Sequence, residues 1–253
     1  MNHWSRSPEQ RKAAWEYLRG LETDYALLQE IVPPRDWPPN RLVFRKMEYG
    51  GRTQWGSAVV SYDRPIQEVS ECLSPHGKKA HRFHLTFPGT LAIAQIASDI
   101  VLVSVYGMID NGYAVTTVHR LLSDLTPLLD SKLGRRVILA GDLNVSTQLP
   151  EPDRKRHRNL LERFATVGLV DCLDLERPAR QLLRNCPCED IPCRHVHTHR
   201  HGRSGKPWQN DYMFVSKPLS SRVVSCRPVN EGDSIAWSHS DHRPLVLEIR
   251  EGK

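Results

Sequence analysis

Hydrophobic residues along the chain alternate between two spacings, one helical and one strand-like. Over 113–133, Val118, Leu121, Leu122, Leu125, Leu128 and Leu129 recur at helical spacing, so a helix is expected there. A second amphipathic helix is expected over 158–168, closed by Gly168, and a third after Ser7. Ser7-Pro8-Glu9-Gln10 has the Ser-x-x-Gln form of a capping box with proline at the first helical position. Gly20 marks its stop, with Ala14, Leu18 and Leu21 on one stripe. Short apolar runs punctuated by Gly, Pro and Ser predict strands at 25–30, 41–46, 56–62, 81–87, 91–97, 100–106, 137–140, 169–173, 210–215, 223–225 and 244–249. Pro33-Pro34-Arg35-Asp36-Trp37-Pro38-Pro39 predicts an extended loop. Helices and strands mix without strict alternation. The expected fold is therefore an α/β sandwich, packed sheets with helices outside, in a single domain spanning 1–253.

Composition narrows the class. With 39% hydrophobic and 25% charged residues, the 253-residue chain reads as globular. No apolar run approaches the ~20 residues that cross a bilayer. The polar start with Pro8 is unlike a secretion signal, so a cytoplasmic protein with reduced cysteines is expected. The 35 basic and 29 acidic residues leave a net charge of +6, mild but compatible with an anionic partner.

The informative carboxylates sit where strands end. Glu30 closes an apolar run, Asp142 follows Val137–Ala140 with Asn144 two residues on, Asp211 opens a strand, and Asp241-His242 precedes the last one. Charges at buried strand ends are costly unless paired or bound to metal, and several converging would suit Mg²⁺. Singly, each also reads as an ordinary strand-end acid or turn residue.

In order, Gln29-Glu30, Gly141-Asp142-Leu143-Asn144, Asp211-Tyr212 and Ser240-Asp241-His242 resemble the motifs of the endonuclease/exonuclease/phosphatase superfamily, over residues 2 to 249. The resemblance implies a DNase I-like four-layer sandwich and phosphoester hydrolysis with Mg²⁺ or Mn²⁺. It implies metal binding by Glu30 and Asp241 and orientation or deprotonation of water by Asp142 with Asn144. It also implies a phosphate contact from His242 held by Asp211, and a looser one from Tyr106. The superfamily begins with a strand bearing a Trp-Asn-type motif. Here Asn2-His3-Trp4 stands just ahead of the first helix. The expectation is that the natural protein is longer at its N-terminus, or that Asn2 serves as the metal ligand.

A Cys/His-rich loop at about 184–207 is the most unusual segment. Three of six cysteines and four of twelve histidines fall within residues 186–201. Cys186, Cys188, Cys193 and His195 supply three thiolates and an imidazole, a donor set for one structural Zn²⁺, although the spacing is not a standard zinc motif. A loop with free thiols, or a strand alternating through Cys193, His195, His197 and His199, fits equally. His199, Arg200 and Trp208 precede Asp211 and would suit a groove for an anionic, base-bearing substrate; Trp37 is a second stacking candidate. The basic run Arg154–Arg158 reads as a phosphate contact or a solvated helix start. Cys72, Cys172 and Cys226 read as core residues. The favoured function is a metal-dependent nuclease acting on DNA, with RNA as an alternative. A phosphatase of a small molecule or lipid headgroup and a catalytically impaired nucleic-acid-binding homologue remain open.

Overall fold

The computed structural model describes residues 5–48, 54–73, 80–97, 99–112, 114–175, 186–188, 193–229 and 234–251. Helix α1 (Pro8–Arg19) is followed by strands β1 (Tyr25–Ile31), β2 (Leu42–Lys46), β3 (Gly56–Ser61), β4 (Gln67–Glu68), β5 (Glu71–Leu73), β6 (Ala80–Arg82), β7 (Leu91–Gln95) and β8 (Val101–Tyr106). Helices α2 (Val115–Asp124) and α3 (Thr126–Leu129) lead to β9 (Val137–Asp142). Then come α4 (Asp153–Thr166), β10 (Leu169–Asp171), α5 (Cys172–Leu175), β11 (His199–Arg200), β12 (Pro207–Trp208) and β13 (Asp211–Ser216). The described elements close with β14 (Val223–Pro228), α6 (Ser234–His239) and β15 (Leu245–Ile249).

Six strands form one mixed sheet in the order β10-β13-β9-β8-β7-β4, in which only β8 and β9 run parallel. A three-stranded antiparallel sheet, β1-β3-β2, and the β14–β15 pair accompany it. Val59 of β3, Ala92 of β7, Leu102 of β8, Ile138 of β9 and Val215 of β13 meet in one buried cluster between the sheets. Because both faces of these strands are covered, their sequences are continuous apolar runs. The other face of the large sheet packs against α2, α3 and α4 through Leu121, Leu128, Leu160 and Phe164. The outer face of the small sheet packs under α1 through Trp15 and Leu18. Helix, sheet, sheet, helix is thus the order of layers, in agreement with the sandwich read from the sequence. No helix among the described residues is long and apolar enough to cross a membrane.

The capping box forms as predicted: Ser7 Oγ accepts from Gln10 N–H, and Gln10 Oε1 accepts from Ser7 N–H. Other boundaries differ from the sequence reading. The helix expected over 113–133 is divided into α2 and α3 at Leu125, just ahead of Pro127, whose missing N–H and ring interrupt the ladder. The strand expected over 81–87 is confined to Ala80–Arg82. The second strong helix starts five residues early, at Asp153, because the charged run 154–158 is itself helical. Only His199 and Arg200 of the alternating segment 193–201 are strand, with His195 and Val196 buried consecutively.

A cavity of about 490 Å³ is lined by residues of β1 and β15, among them Leu28 and Leu247, together with Leu102 and Ala140. Among the described residues β1 pairs only with β3 and β15 only with β14.

Phe164 lies 4.5 Å from Phe214, ring on ring at 9°, and is 2% exposed. Phe164→Ala is expected to lower stability by about 3–5 kcal/mol, measured by urea denaturation.

Candidate active site

Three adjacent strands bring three polar side chains to one level. In the ladders Asp142 of β9 stands opposite both Tyr106 of β8 and Asp211 of β13. The backbone beyond β9 is then fixed by Gly107 N–H to Asp142 O at 2.6 Å and Leu143 N–H to Asn210 O at 2.9 Å. Gly141 is required here, since a Cβ at this position would lie 1.9 Å from Val105 O.

The last members arrive on a loop. His242 N–H donates to Ser240 Oγ at 3.0 Å, which turns the ring inward. Its Nδ1 lies 2.8 Å from Asp211 Oδ2 and its Nε2 3.7 Å from Asp142 Oδ2. Among the described residues His242 is the only basic side chain in an ion pair with either carboxylate. Burial pushes the Asp142 carboxyl up, with His242 opposing and Asp211 adding to the rise. At His242 burial disfavours the charged ring, but Asp211 and then Asp142 outweigh it and raise the imidazole above its ordinary value. Two carboxylates thus share one imidazolium in a nearly dry setting.

Asn144 holds the buried Asp142 carboxyl in place. Its N–H donates to Asp142 Oδ1 at 2.8 Å, and its Nδ2 reaches Asp142 Oδ2 and Gly107 O, each at 3.0 Å. It adopts φ +50°, a left-handed conformation that asparagine tolerates better than most residues. Glu30, at φ +54°, comes from the end of β1 and accepts from Tyr106 Oη at 3.0 Å. Burial, then the charges of Glu30, Asp142 and Asp241, keep the Tyr106 phenol protonated. Glu30 therefore joins the cluster through Tyr106.

His199 forms the opposite wall. Its ring centroid is 4.5 Å from that of His242, and its Nδ1 meets Asn210 Nδ2 at 3.2 Å. Burial, then the nearby His242, push it down to about 4, so it is neutral at pH 7. Arg200 is exposed beside it, its N–H bonded to Asp241 O at 2.8 Å. Trp208 is half-buried and faces His199 across the β11–β12 pair. Arg200 and Trp208 are thus neighbours of His199 on the β11–β12 pair.

The oxygen donors fit a divalent cation. Among the described residues Asp241 Oδ1 is buried without a hydrogen-bond partner, in a cluster that also holds Asp142, Asp211 and Glu30. Donor atoms of His199, Asp241 and His242, and of Asp142, Asp211 and His242, each form a group within 4.8 Å. Asn2 lies outside the described residues.

The sequence reading missed several supports. Trp55 packs edge-on against Tyr106 at 5.6 Å between centroids. Ser104 accepts from Gln29 Nε2 and donates to Leu28 O, tying β8 to β1 below the site. Asn210 was legible only as a neighbour of Asp211. One candidate leaves the site. Trp37 is 8% exposed and packs between Trp15 and Tyr62, so it cannot stack on a base. In the basic run, Arg154 Nε caps Leu149 O, Arg156 pairs with Asp153, and His157 is buried, so three of its members are engaged within the protein.

The family model for endonucleases, exonucleases and phosphatases matches residues 2–242. The chain belongs to this family. It is accordingly an enzyme of phosphoester hydrolysis. Comparison with curated protein sequences gives no significant match. Among solved structures, similarity extends to an AP endonuclease from Archaeoglobus fulgidus, at 19% identity and a TM-score of 0.64 over 96% of this chain and 95% of that one. The endonuclease domain of a telomere-specific non-LTR retrotransposon gives 19%, 0.62, and 99% and 97%. A 3′ phosphatase from Neisseria bound to product DNA hairpin gives 15%, 0.61, and 98% and 97%. At these identities the structural likeness establishes the shared fold. Together with the family match, it agrees with the architecture expected from the motif order.

Asn144→Ala removes two side-chain hydrogen bonds and strains the backbone, and is expected to cost about 2–4 kcal/mol in urea denaturation. Asn144→Gly, free of the strain, should cost about 1 kcal/mol less.

Proposed function

We propose that this enzyme is a divalent-metal-dependent nuclease that hydrolyses phosphodiester bonds, with DNA as the preferred polymer. The observation that carries the reading is the buried Asp142–His242–Asp211 constellation beside the unpartnered Asp241 oxygen. An inert strand end would gain nothing from burying several carboxylates around one imidazole.

Glu30 and Asp241 would hold a Mg²⁺ or Mn²⁺ ion, which when bound neutralises phosphate charge and stabilises the departing oxyanion. Asp142, raised by burial, is suited to take a proton from the attacking water. Asn144, by occupying both Asp142 oxygens, fixes the direction in which the carboxylate accepts. Asp211 accepts from His242 Nδ1, sets the ring's orientation and favours its charged form. His242 Nε2–H is then free to donate to a phosphoryl oxygen as charge accumulates. Tyr106 donates to Glu30 and orients it toward the cluster. His199, Arg200 and Trp208 would edge the substrate groove. Support for DNA comes from the net charge of +6 and from a similar structure described as bound to a DNA hairpin.

Plasmid, single-stranded DNA and RNA incubated with Mg²⁺ or Mn²⁺ test the reading. Cleavage is expected that stops with EDTA and falls 10²–10⁴-fold in Asp142→Asn. It should also weaken steeply as salt rises, since phosphate contacts release counterions. Turnover of a small soluble phosphoester with all three polymers intact would overturn the polymer assignment. EDTA-resistant turnover would overturn the metal.

A further inference from the structure

A second cluster of donors, made of residues other than the carboxylates, precedes β13 in the chain. Sγ of Cys186, Cys188 and Cys193 and a ring nitrogen of His195 all lie within 4.8 Å of one another. His195 Nδ1 is 3.6 Å from Cys186 Sγ and 3.4 Å from Cys193 Sγ. Tetrahedral zinc with its usual bond lengths sets neighbouring sulfur and nitrogen ligands about 3.5 Å apart.

The surroundings are those of a ligand set. His195 is 8% exposed, and its Nε2 lies 2.8 Å from Thr147 Oγ1. A proton on Nε2 donated to this hydroxyl leaves the Nδ1 lone pair aimed at the sulfurs, the arrangement found behind metal-bound imidazoles. Gln148 Nε2 donates to Cys186 Sγ at 3.1 Å and also to Pro207 O at 3.1 Å. Thiols are weak donors and weak acceptors toward one another, so three of them around one imidazole gain little without a cation.

We infer that Cys186, Cys188, Cys193 and His195 bind one structural zinc ion, independent of the catalytic carboxylates. Its place in the fold gives it a task. Gln148 Oε1 accepts from Gln209 N–H, and Gln209 Oε1 accepts from Val196 N–H at 2.8 Å. Asp211 follows two residues later. The ion would pin the start of the segment that carries Thr198, His199 and Arg200 to the loop after β9 and to the approach to β13.

The full chain, purified without added metal or chelator, should contain about one zinc per molecule by mass spectrometry. After exchange into Co²⁺ it should show thiolate-to-cobalt charge-transfer absorption, which a carboxylate site cannot give. Cys186→Ser and His195→Ala should each lose most of the zinc, while Cys226→Ser, in the core, retains it. The inference is overturned by zinc-free protein lacking the cobalt charge-transfer band, by a disulfide joining two of the three cysteines, or by full zinc content in Cys186→Ser. The wild-type cobalt spectrum decides even if a variant fails to fold. None of these readouts depends on nuclease activity, so this inference and the proposed function fail separately.

Discussion

The site depends on one alignment: the ladder register that sets Asp142 level with Tyr106 on one side and Asp211 on the other. Moving a strand by a single residue would turn its side chain to the opposite face of the sheet. That register is held by burial, since the same strands supply Val103, Leu139 and Phe214 to one core and Leu102, Ile138 and Val215 to the other. Hydrophobic packing on both faces thus determines to a fraction of a residue where the carboxylates stand. The electrostatic cost of crowding them at the sheet's end is borne by the packing beneath.

Their crowding also makes the chemistry. Asp142 is buried and Asp211 less so, and a single imidazole lies between them. Neighbouring groups of like charge that compete for one proton donor are driven to different roles by small differences of environment. Here the less buried carboxylate clamps Nδ1 at 2.8 Å, and the dry one stands 3.7 Å from Nε2 with its oxygens engaged by Asn144. In the proposed reaction, orientation and proton acceptance would thereby be divided between two chemically identical groups.

Much of this was legible in the sequence because the motifs are local. Gly141-Asp142-Leu143-Asn144 contains its own turn, with a close backbone approach that only glycine permits and an asparagine in a left-handed conformation. Ser240-Asp241-His242 likewise carries its own hydroxyl bond. The layers followed from apolar runs and amphipathic helices. What escaped were relations between distant segments. Trp37 looked available because prolines surround it, yet Trp15 and Tyr62, from α1 and the end of β3, bury it. Trp55 and Ser104 bear on the site only through the packing of one sheet on another. The periodicity of 193–201 suggested a strand, but side-chain bonds to Thr147 and Gln209 hold His195 and Val196 instead.

The segment carrying His199 and Arg200 is joined to the loop carrying Asp241 and His242 by two main-chain bonds, Arg200 N–H to Asp241 O and Arg243 N–H to Thr198 O at 2.7 Å. Such bonds do not depend on which side chains the residues carry. The exposed Arg200 side chain can therefore be exchanged while this main-chain link to Asp241 remains. If, as proposed, this segment edges the substrate groove, a lineage could vary recognition there while the backbone frame of the reacting groups stays in place.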